Sequence, residues 1–482
     1  MTRTDAHRLD MVELARQVLR DHGFEPDLPP GIVESIPPTD PVSNVRDLRG
    51  LAWSSIDNDD SRDLDQVEVA ESLPGGSIRI LVGIADVDAL VPKDSEVDRF
   101  ARLNTVTLYT GVHTFAMLPP VLSTDRTSLL EGVDRLAVIT EIVVGLDGEL
   151  DDAQTRIYPA RVTNKAKLVY ERVGAWLEGH GSPPPSAELA AQLELQDEAA
   201  QRLRKLRHAH GALDLATIEA HAVVKGGTVV DLEIQEQNRA RQVIEDIMVA
   251  ANGATARYLE ARKRSSIRRV VVKPKRWNRI VELAAGLGTQ LPAEPSASAL
   301  SDFVAARRKA DPTRFADLSL SIVKLLGPGM YVLQRAGEPD VEHFGLAVQD
   351  YQHSTAPNRR YPDLIAQRLL KSAAKDEPPP YSDEELLALA AHCTQREDAA
   401  RKVERTMRKI AAAIMLSSHI GQTFDAIVTG ASDKGTFVRL LRPPAEGLVV
   451  RNQQGLDVGD AVKVRLVSTE PARGFVDFEA IR

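Results

Sequence analysis

Apolar residues recur along this chain in three rhythms, and each rhythm marks a different region. Near the start, Met11, Leu14, Ala15 and Val18 repeat at helical spacing, which predicts a helix from Thr4 to about Gly23. Pro26, Pro29, Pro30, Pro37, Pro38 and Pro41 then interrupt any regular element. Residues 1–45 are therefore expected to form an N-terminal helical or winged-helix-like unit. From Arg46 to about Ala160 the alternation shortens to that of strands: Leu51–Ile56, Gln66–Val69, a long run from Ile78 to Val91, and Leu136–Val144. Ser95 is placed to cap a helix reaching Leu103, after which Val106–Tyr109 returns to strand character.

Further on, Lys167–Glu178, Ala187–Arg207 and Gln237–Arg262 read as helices. In the last of these Ile244, Ile247, Met248, Ala251 and Tyr258 form the buried stripe, with Glu245 at its edge. Val223–Ile234 reads as a hairpin turning at Lys225-Gly226-Gly227-Thr228. Ser354–Leu364 is a loop entering a helix, and Ser382 with Glu385 makes a capping box for a helical stretch toward His419. The third rhythm begins at Ile420, where short β-branched runs are divided by Gly430, Gly435, Gly447, Gly455, Gly459 and Gly474. That spacing suits a five-stranded barrel of the OB type. The expected fold class is α+β: a mixed catalytic-sized domain over residues 46–416, then an all-β OB-fold over residues 420–482.

Composition changes this picture little. A chain of 482 residues with 43% apolar and 27% charged content is an ordinary globular protein of two or three domains. Its one cysteine, Cys393, excludes a disulfide framework or a cysteine–zinc knuckle and points to a cytoplasmic protein. No secretory signal is apparent and no run approaches ~20 apolar residues, so neither export nor a membrane span is expected. The net charge of −9 argues against nucleic acid as a partner, but its distribution argues the other way. Between Arg257 and Arg279 ten Lys or Arg residues face one acid, Glu260, a band that suits a phosphate backbone or simply a solvated face.

The sharpest chemical signal lies between two of the early strands, in Ile56-Asp57-Asn58-Asp59-Asp60-Ser61-Arg62-Asp63-Leu64-Asp65-Gln66. Carboxylates this dense repel one another unless water or a cation intervenes. Three readings are open. A solvated acidic turn is the plainest. An EF-hand calcium loop fits at Asp57, Asp59, Ser61, Asp63, Asp65 and Glu68, but Arg62 stands where that loop needs glycine, and the flanks read as strands. A catalytic magnesium site for phosphoryl transfer is the third, and it requires a distant cationic group facing the phosphate.

Five motifs in order then resemble one family. Asp57, Asp63 and Asp65, with Arg62 and Leu64, are similar to the acidic signature of the ribonuclease II and ribonuclease R exoribonucleases, which share the RNB domain. Gly83-Ile84-Ala85-Asp86-Val87 follows, then Thr107-Leu108-Tyr109 with Met117-Leu118-Pro119, then Ile244-Glu245-Asp246-Ile247-Met248 with Ala251-Asn252, and last Thr355 to Leu364. Ile420-Gly421-Gln422, Phe437-Val438, Glu446-Gly447-Leu448-Val449 and Val458-Gly459-Asp460 resemble the S1-type OB module that ends this family. The module's eight basic and eight acidic side chains would not have revealed it by charge.

The resemblance implies a hydrolytic 3′→5′ exoribonuclease acting on single-stranded RNA, with Mg2+ as cofactor, Mn2+ as its substitute, and no obligate protein partner. By the same resemblance Asp57, Asp63 and Asp65 form the metal and catalytic cluster, and Arg359 faces the scissile phosphate. Tyr109 stacks on the terminal base, Glu245 reads a ribose 2′-hydroxyl, Tyr170 contacts the 3′ nucleotides, and Phe437 stacks on RNA from the barrel. The chain departs from the family pattern in three places. Gln66 occupies the seat of a fourth aspartate, as a neutral metal ligand. Leu215 stands where relatives have a phenylalanine closing the base stack, and Lys434 where the barrel commonly has another aromatic. Residues 1–45 are too few for the family's cold-shock barrels, from which better tolerance of structured RNA is expected. The rival readings are an RNA-binding protein with a decayed RNB site and a phosphorolytic enzyme.

Overall fold

A computed structural model describes residues 11–38, 45–215, 220–225, 228–234, 237–271, 274, 276–339, 344, 350–432 and 435–481. In chain order, helix α1 (Met11–Asp21) precedes strands β1 (Arg46–Asp47), β2 (Ser54–Asp57), β3 (Gln66–Ser72) and β4 (Ile78–Ala85). Helix α2 (Glu96–Asn104) leads to the short pair β5 (Leu108–Tyr109) and β6 (Thr114–Phe115), then to β7 (Asp134–Val144), β8 (Arg156–Thr163) and β9 (Ala166–Val169). Helices α3 (Tyr170–Leu177) and α4 (Ala187–Ala209), the hairpin β10 (Ala220–Lys225) with β11 (Thr228–Ile234), and helix α5 (Arg239–Ala261) follow. The catalytic-sized body closes with β12 (Ser266–Val270), α6 (Trp277–Gly286), α7 (Ala297–Ala310), α8 (Pro312–Leu326), β13 (Met330–Gln334), α9 (Tyr361–Ala374) and α10 (Asp383–Leu416). The last strands are β14 (Thr423–Ser432), β15 (Gly435–Leu440), β16 (Glu446–Arg451), β17 (Ala461–Glu470) and β18 (Phe475–Ile481).

The main sheet runs in the order β1-β8-β7-β4-β3-β2-β9. Both faces are covered, which explains why its central strands read as nearly continuous apolar runs. Val67, Val69, Leu81, Ala137 and Ile139 face the core that α9 and α10 close. Ala70, Ile80, Val82, Ile84 and Ile142 face helices α4 and α5. One sequence expectation is corrected here. Lys167–Glu178 is not one helix: Ala166–Val169 is a strand lying parallel to β2, with Ser55 opposite Lys167 and Asp57 opposite Val169. The helix starts at Tyr170. So short a strand is masked in sequence because its partner lies more than a hundred residues earlier, where no local periodicity records the pairing.

Ser95 does cap α2, accepting from the Asp98 N–H, and Ser382 with Glu385 forms the reciprocal capping box of α10. Helix α10 is 34 residues of unbroken helix, about 50 Å long. It packs against α1, β12 and β13 on the body and against β17 and β18 beyond it. Met11, Ala15, Val18 and Leu19 of α1 bury against Val403, Met407 and Ile410 of α10, so the described part of the N-terminal unit is held by the body. Residues 1–10 and 39–44 of that unit lie outside the described residues, as do Gly226 and Gly227 of the expected hairpin turn and Lys434.

Strands β14–β18 form a closed barrel in the order β14-β15-β16-β18-β17, the expected OB architecture. Its junction with α10 is close. Gly474 has φ +65°, and a Cβ there would lie 2.8 Å from Lys409 Cβ and 2.9 Å from the Ile410 nitrogen, so only glycine fits without displacement. Arg439 of β15 also pairs with Asp317 of α8, tying barrel to body through a shielded ion pair.

Candidate active site

The acidic stretch is the turn joining antiparallel strands β2 and β3; Lys167 and Ser128 hold its backbone and Arg241 one of its side chains. Lys167 Nζ donates to the carbonyls of Asp59 and Ser61, each at 2.7 Å. Ser128 Oγ accepts from the Leu64 N–H at 2.9 Å and donates to the Arg62 carbonyl at 2.6 Å. Arg241 of α5 donates to Asn58 Oδ1 at 3.0 Å. The flanks are strands and Arg62 keeps the sixth position, so the calcium-loop reading fails on geometry.

The arginine segment approaches from the far end of the body and is held just as firmly. Asp363 Oδ1 accepts from the Thr355 and Ala356 N–H groups at 2.8 and 2.9 Å, and from Arg360 Nη2 at 2.7 Å. Asn252 of α5 accepts from the Ser354 N–H at 2.8 Å. The segment then meets the acidic turn: the Asn358 N–H donates to Asp65 Oδ1 at 2.9 Å and Arg359 Nε to Asp65 Oδ2 at 3.1 Å. The Thr107 N–H donates to the Arg359 carbonyl at 3.0 Å, which draws β5 alongside. Tyr109 at the end of β5 donates its hydroxyl to Asp63 Oδ2 at 2.9 Å. Three segments widely separated in sequence, carrying Asp63 with Asp65, Tyr109 and Arg359, thus form one cluster.

Burial sets its electrostatics. Asp65 is 1% exposed, and burial pushes its carboxyl up to about 7 even with Arg359 and the Asn358 N–H drawing it down. Asp57 is also raised, first by burial and further by the charge of Asp63, with Ser61 and Arg359 opposing. Burial and the Asp63 charge push the Tyr109 hydroxyl up, so it stays a donor. Tyr109 is nonetheless 47% exposed as a residue, among the more exposed large hydrophobic side chains.

The other expected residues fall at differing distances from this cluster. Tyr170 is linked to the acidic turn through Arg241, which lies over its ring at 4.3 Å and donates to Asn58 Oδ1; burial, then the charges of Asp57 and Glu68, raise its phenol. Glu245 is exposed on α5, one helical turn beyond Arg241 and on the same face. Gln66 opens β3 and is 8% exposed. Phe437 belongs to the barrel, where it is 39% exposed on β15. Leu215 instead packs with the satellite core of α6–α8, among Trp277, Leu300 and Phe303. Part of the basic band is taken up by structure: Arg269 forks onto Glu397, Arg257 pairs with Asp152, and Arg268 with Glu260. Strand β12 buries Arg268 and Arg269, while Arg262, Lys263, Arg276 and Arg279 stay exposed.

Sequence reasoning missed Lys167 and Ser128. Both work through backbone groups of the turn and leave no motif.

Among the described residues no three His, Cys, Asp or Glu side chains converge tightly enough to hold a metal ion unaided. Magnesium seldom asks for such a cage; one or two carboxylates plus substrate phosphates and water usually serve. A buried carboxylate, Asp65, beside the half-buried Asp57 and Asp63, with oxygen donors throughout, fits a hard divalent cation.

A family model described as the RNB domain matches residues 45–376, and a model of the RNase II-type exonuclease C-terminal S1 domain matches residues 422–481. Ribonuclease R of Escherichia coli is 31% identical over 439 residues, covering 87% of this chain and 52% of that protein. The chain thus spans about half the length of that relative. Among solved structures, Mycoplasma genitalium RNase R superposes with a TM-score of 0.88 at 22% identity, covering 98% of this chain and 78% of that one, both alone and in complex with ribose-methylated single-stranded RNA. Yeast Ssd1, a pseudonuclease, shares the fold with a TM-score of 0.71 at 18% identity, over 90% of this chain and 55% of that one. With more than half its length matched by that model and its acidic, tyrosine and arginine motifs joined in one cluster, the chain belongs to the RNB-domain family.

Proposed function

We propose that this protein is a hydrolytic, divalent-metal-dependent 3′→5′ exoribonuclease that degrades single-stranded RNA to nucleoside 5′-monophosphates. The observation that carries the proposal is the meeting of Asp65 with Arg359 and of Asp63 with Tyr109, across 294 and 46 positions of sequence. Burying the Asp65 carboxylate against a half-exposed guanidinium is expensive to build for stability alone. A phosphate diester needs just these neighbours: anions to hold a cation, and a guanidinium to meet charge on the phosphoryl oxygens.

Asp57, Asp63 and Asp65 would hold Mg2+, or Mn2+ in its place, with the Gln66 amide as a neutral fourth donor. When bound, the cation supplies Lewis-acid activation of water and neutralises phosphate charge. Arg359 is half-exposed on its solvent side, so its guanidinium can keep Asp65 oriented while its outer N–H groups bind the scissile phosphate. Tyr109 stacks on the terminal base with its hydroxyl fixed by Asp63, which sets the register of the bond to be cut. Tyr170 contacts the 3′ nucleotides, and Glu245 accepts from a ribose 2′-hydroxyl, the group that separates RNA from DNA. Phe437 stacks on an upstream base from the barrel.

Gln66 favours a second reading, an RNA-binding protein with a decayed site, since the fold also serves a pseudonuclease. One experiment separates them: 5′-labelled single-stranded RNA with Mg2+, wild type beside Asp65→Asn. A ladder shrinking from the 3′ end, absent in the variant, supports the enzyme. RNA bound but left intact supports the decayed site, and a nucleoside diphosphate product would identify phosphorolysis instead.

A further inference from the structure

Thr127 and Ser128 are neighbours in sequence, both buried, and they reach opposite halves of the site. They follow a five-residue π-type turn, Leu122–Arg126, closed by the Thr127 N–H donating to the Leu122 carbonyl at 3.0 Å. Turns of this kind recur at functional sites. Thr127 Oγ1 donates to Asn358 Oδ1 at 2.6 Å, with the Leu122 carbonyl as its other acceptor at 2.8 Å. Ser128 Oγ bridges the Arg62 carbonyl and the Leu64 N–H, and the Leu129 N–H donates to the Leu64 carbonyl at 3.0 Å. One side chain thus grips the arginine segment and the next grips the acidic turn. The segment is itself anchored to the main sheet. Arg135 of β7 donates to the Ser128 carbonyl at 3.0 Å, and Asn164, between β8 and β9, to the Leu129 carbonyl at 2.9 Å.

The grip on the arginine segment falls at a sensitive point. Asn358 is 0% exposed, its backbone N–H holds Asp65 Oδ1, and Arg359 follows it directly. Asn358 Nδ2 has no hydrogen-bond partner, so the bond to Thr127 is the one its buried amide group makes. Without it the amide would be unsatisfied at both ends, and the segment would shift to relieve the cost. We propose that Thr127-Ser128 is a spacing strut that fixes Arg359 relative to the aspartates, so that guanidinium and carboxylates meet one phosphate together. Both are positioning residues, Thr127 acting through Asn358 and Ser128 through the backbone of the turn. The assignment rests on the exoribonuclease reading above and adds to it two hydroxyls that touch no substrate. Hydroxyls that merely satisfied buried groups would cost stability when removed, and not chemistry.

Single-turnover cleavage of 5′-labelled single-stranded RNA with Mg2+ separates the two roles. Wild type is compared with Thr127→Val, Thr127→Ser, Ser128→Ala, Asn358→Ala and the double variant Thr127→Val/Asn358→Ala, each with its RNA affinity and melting temperature. Thr127→Val keeps the shape of threonine without the hydroxyl. It should lower the rate at saturating RNA about 10- to 100-fold with affinity within about twofold, the split expected of a group that acts on the transition state alone. Ser128→Ala should show the same split, and Thr127→Ser, which restores the hydroxyl, should recover most of the rate. Asn358→Ala should reproduce the defect, and the double variant should be no slower than either single change. Asn358→Ala meets the same bond from its other end, so it carries the test where Thr127→Val does not fold. A wild-type rate in folded Thr127→Val, Ser128→Ala or Asn358→Ala overturns the strut and leaves the nuclease reading standing. So does a rate loss matched by lost RNA affinity or by a falling melting temperature, or a double variant whose defects multiply. Wild type that shortens no RNA removes the nuclease reading, and the strut with it.

Discussion

Lys167→Met removes the ammonium that spans the outside of the acidic turn while keeping the length of the side chain. Two hydrogen bonds at 2.7 Å are lost, to the carbonyls of Asp59 and Ser61. The bond to Asp59 is exposed and is worth about 0.5 kcal/mol, and the half-buried bond to Ser61 about 1.5 kcal/mol, as a charged donor. Together they give about 2 kcal/mol favouring the ordered turn. The β2–β3 pairing and the core beneath do not depend on them, so the loss falls on the positions of Asp57 and Asp63 and not on global stability. Lys167 acts as a positioning residue. The expected result is a roughly 10- to 30-fold fall in single-turnover rate on 5′-labelled single-stranded RNA at saturating Mg2+, with the melting temperature within a degree or two of wild type. Lys167→Arg, which keeps a cation over the same carbonyls, should recover most of the rate. A Lys167→Met rate within twofold of wild type would refute the argument, as would a loss that tracks a falling melting temperature.

Tyr109→Ala should raise KM for single-stranded RNA by about 5- to 150-fold through lost stacking, while Tyr109→Phe, which loses only the bond to Asp63, should keep a KM near wild type; equal defects in a kinetic comparison would assign the role to the hydroxyl. Gly474→Ala forces a Cβ against Lys409 and Ile410 of α10, and should weaken long RNA in filter binding while leaving turnover of very short RNA intact. Cys393 is fully buried, and burial pushes its thiol up, so it should resist aromatic disulfide reagents in the native protein and titrate as one thiol in denaturant; rapid native labelling would contradict the packing of α10.

What the sequence disclosed depended on whether a feature is local. The acidic turn was readable because both its charges and its flanking strands lie within about twenty residues, and the α10 capping box because it closes over four. Arg359 and Tyr109 could be named only through resemblance, since nothing local says that residue 359 meets residue 65. Lys167 was assigned to a helix because β9 has four residues and its partner lies on β2. Leu215 was read as standing in a base-stacking seat, yet it packs with the core of α6–α8, and of the basic band Arg268 and Arg269 are buried in β12. Periodicity reports that a side chain is amphipathic or charged; it does not report which neighbour from a distant segment has already claimed it.

The uninterrupted α10 has a consequence for the proposed exoribonuclease, in the length of RNA it would prefer. One rod carries α1 and the strands of the body along part of its length and receives the barrel at its far end, where Gly474 lies against Lys409 and Ile410. The Arg439–Asp317 pair adds a second strut. The gap between Phe437 on the barrel and Tyr109 at the site is therefore a fixed ruler. If Phe437 and Tyr109 stack on RNA as proposed, strands long enough to span the gap would be gripped at two marks and would shorten smoothly. Once the trailing end slips past the barrel only the mark at Tyr109 would remain, so residence time should drop in one step at a defined chain length rather than decline gradually.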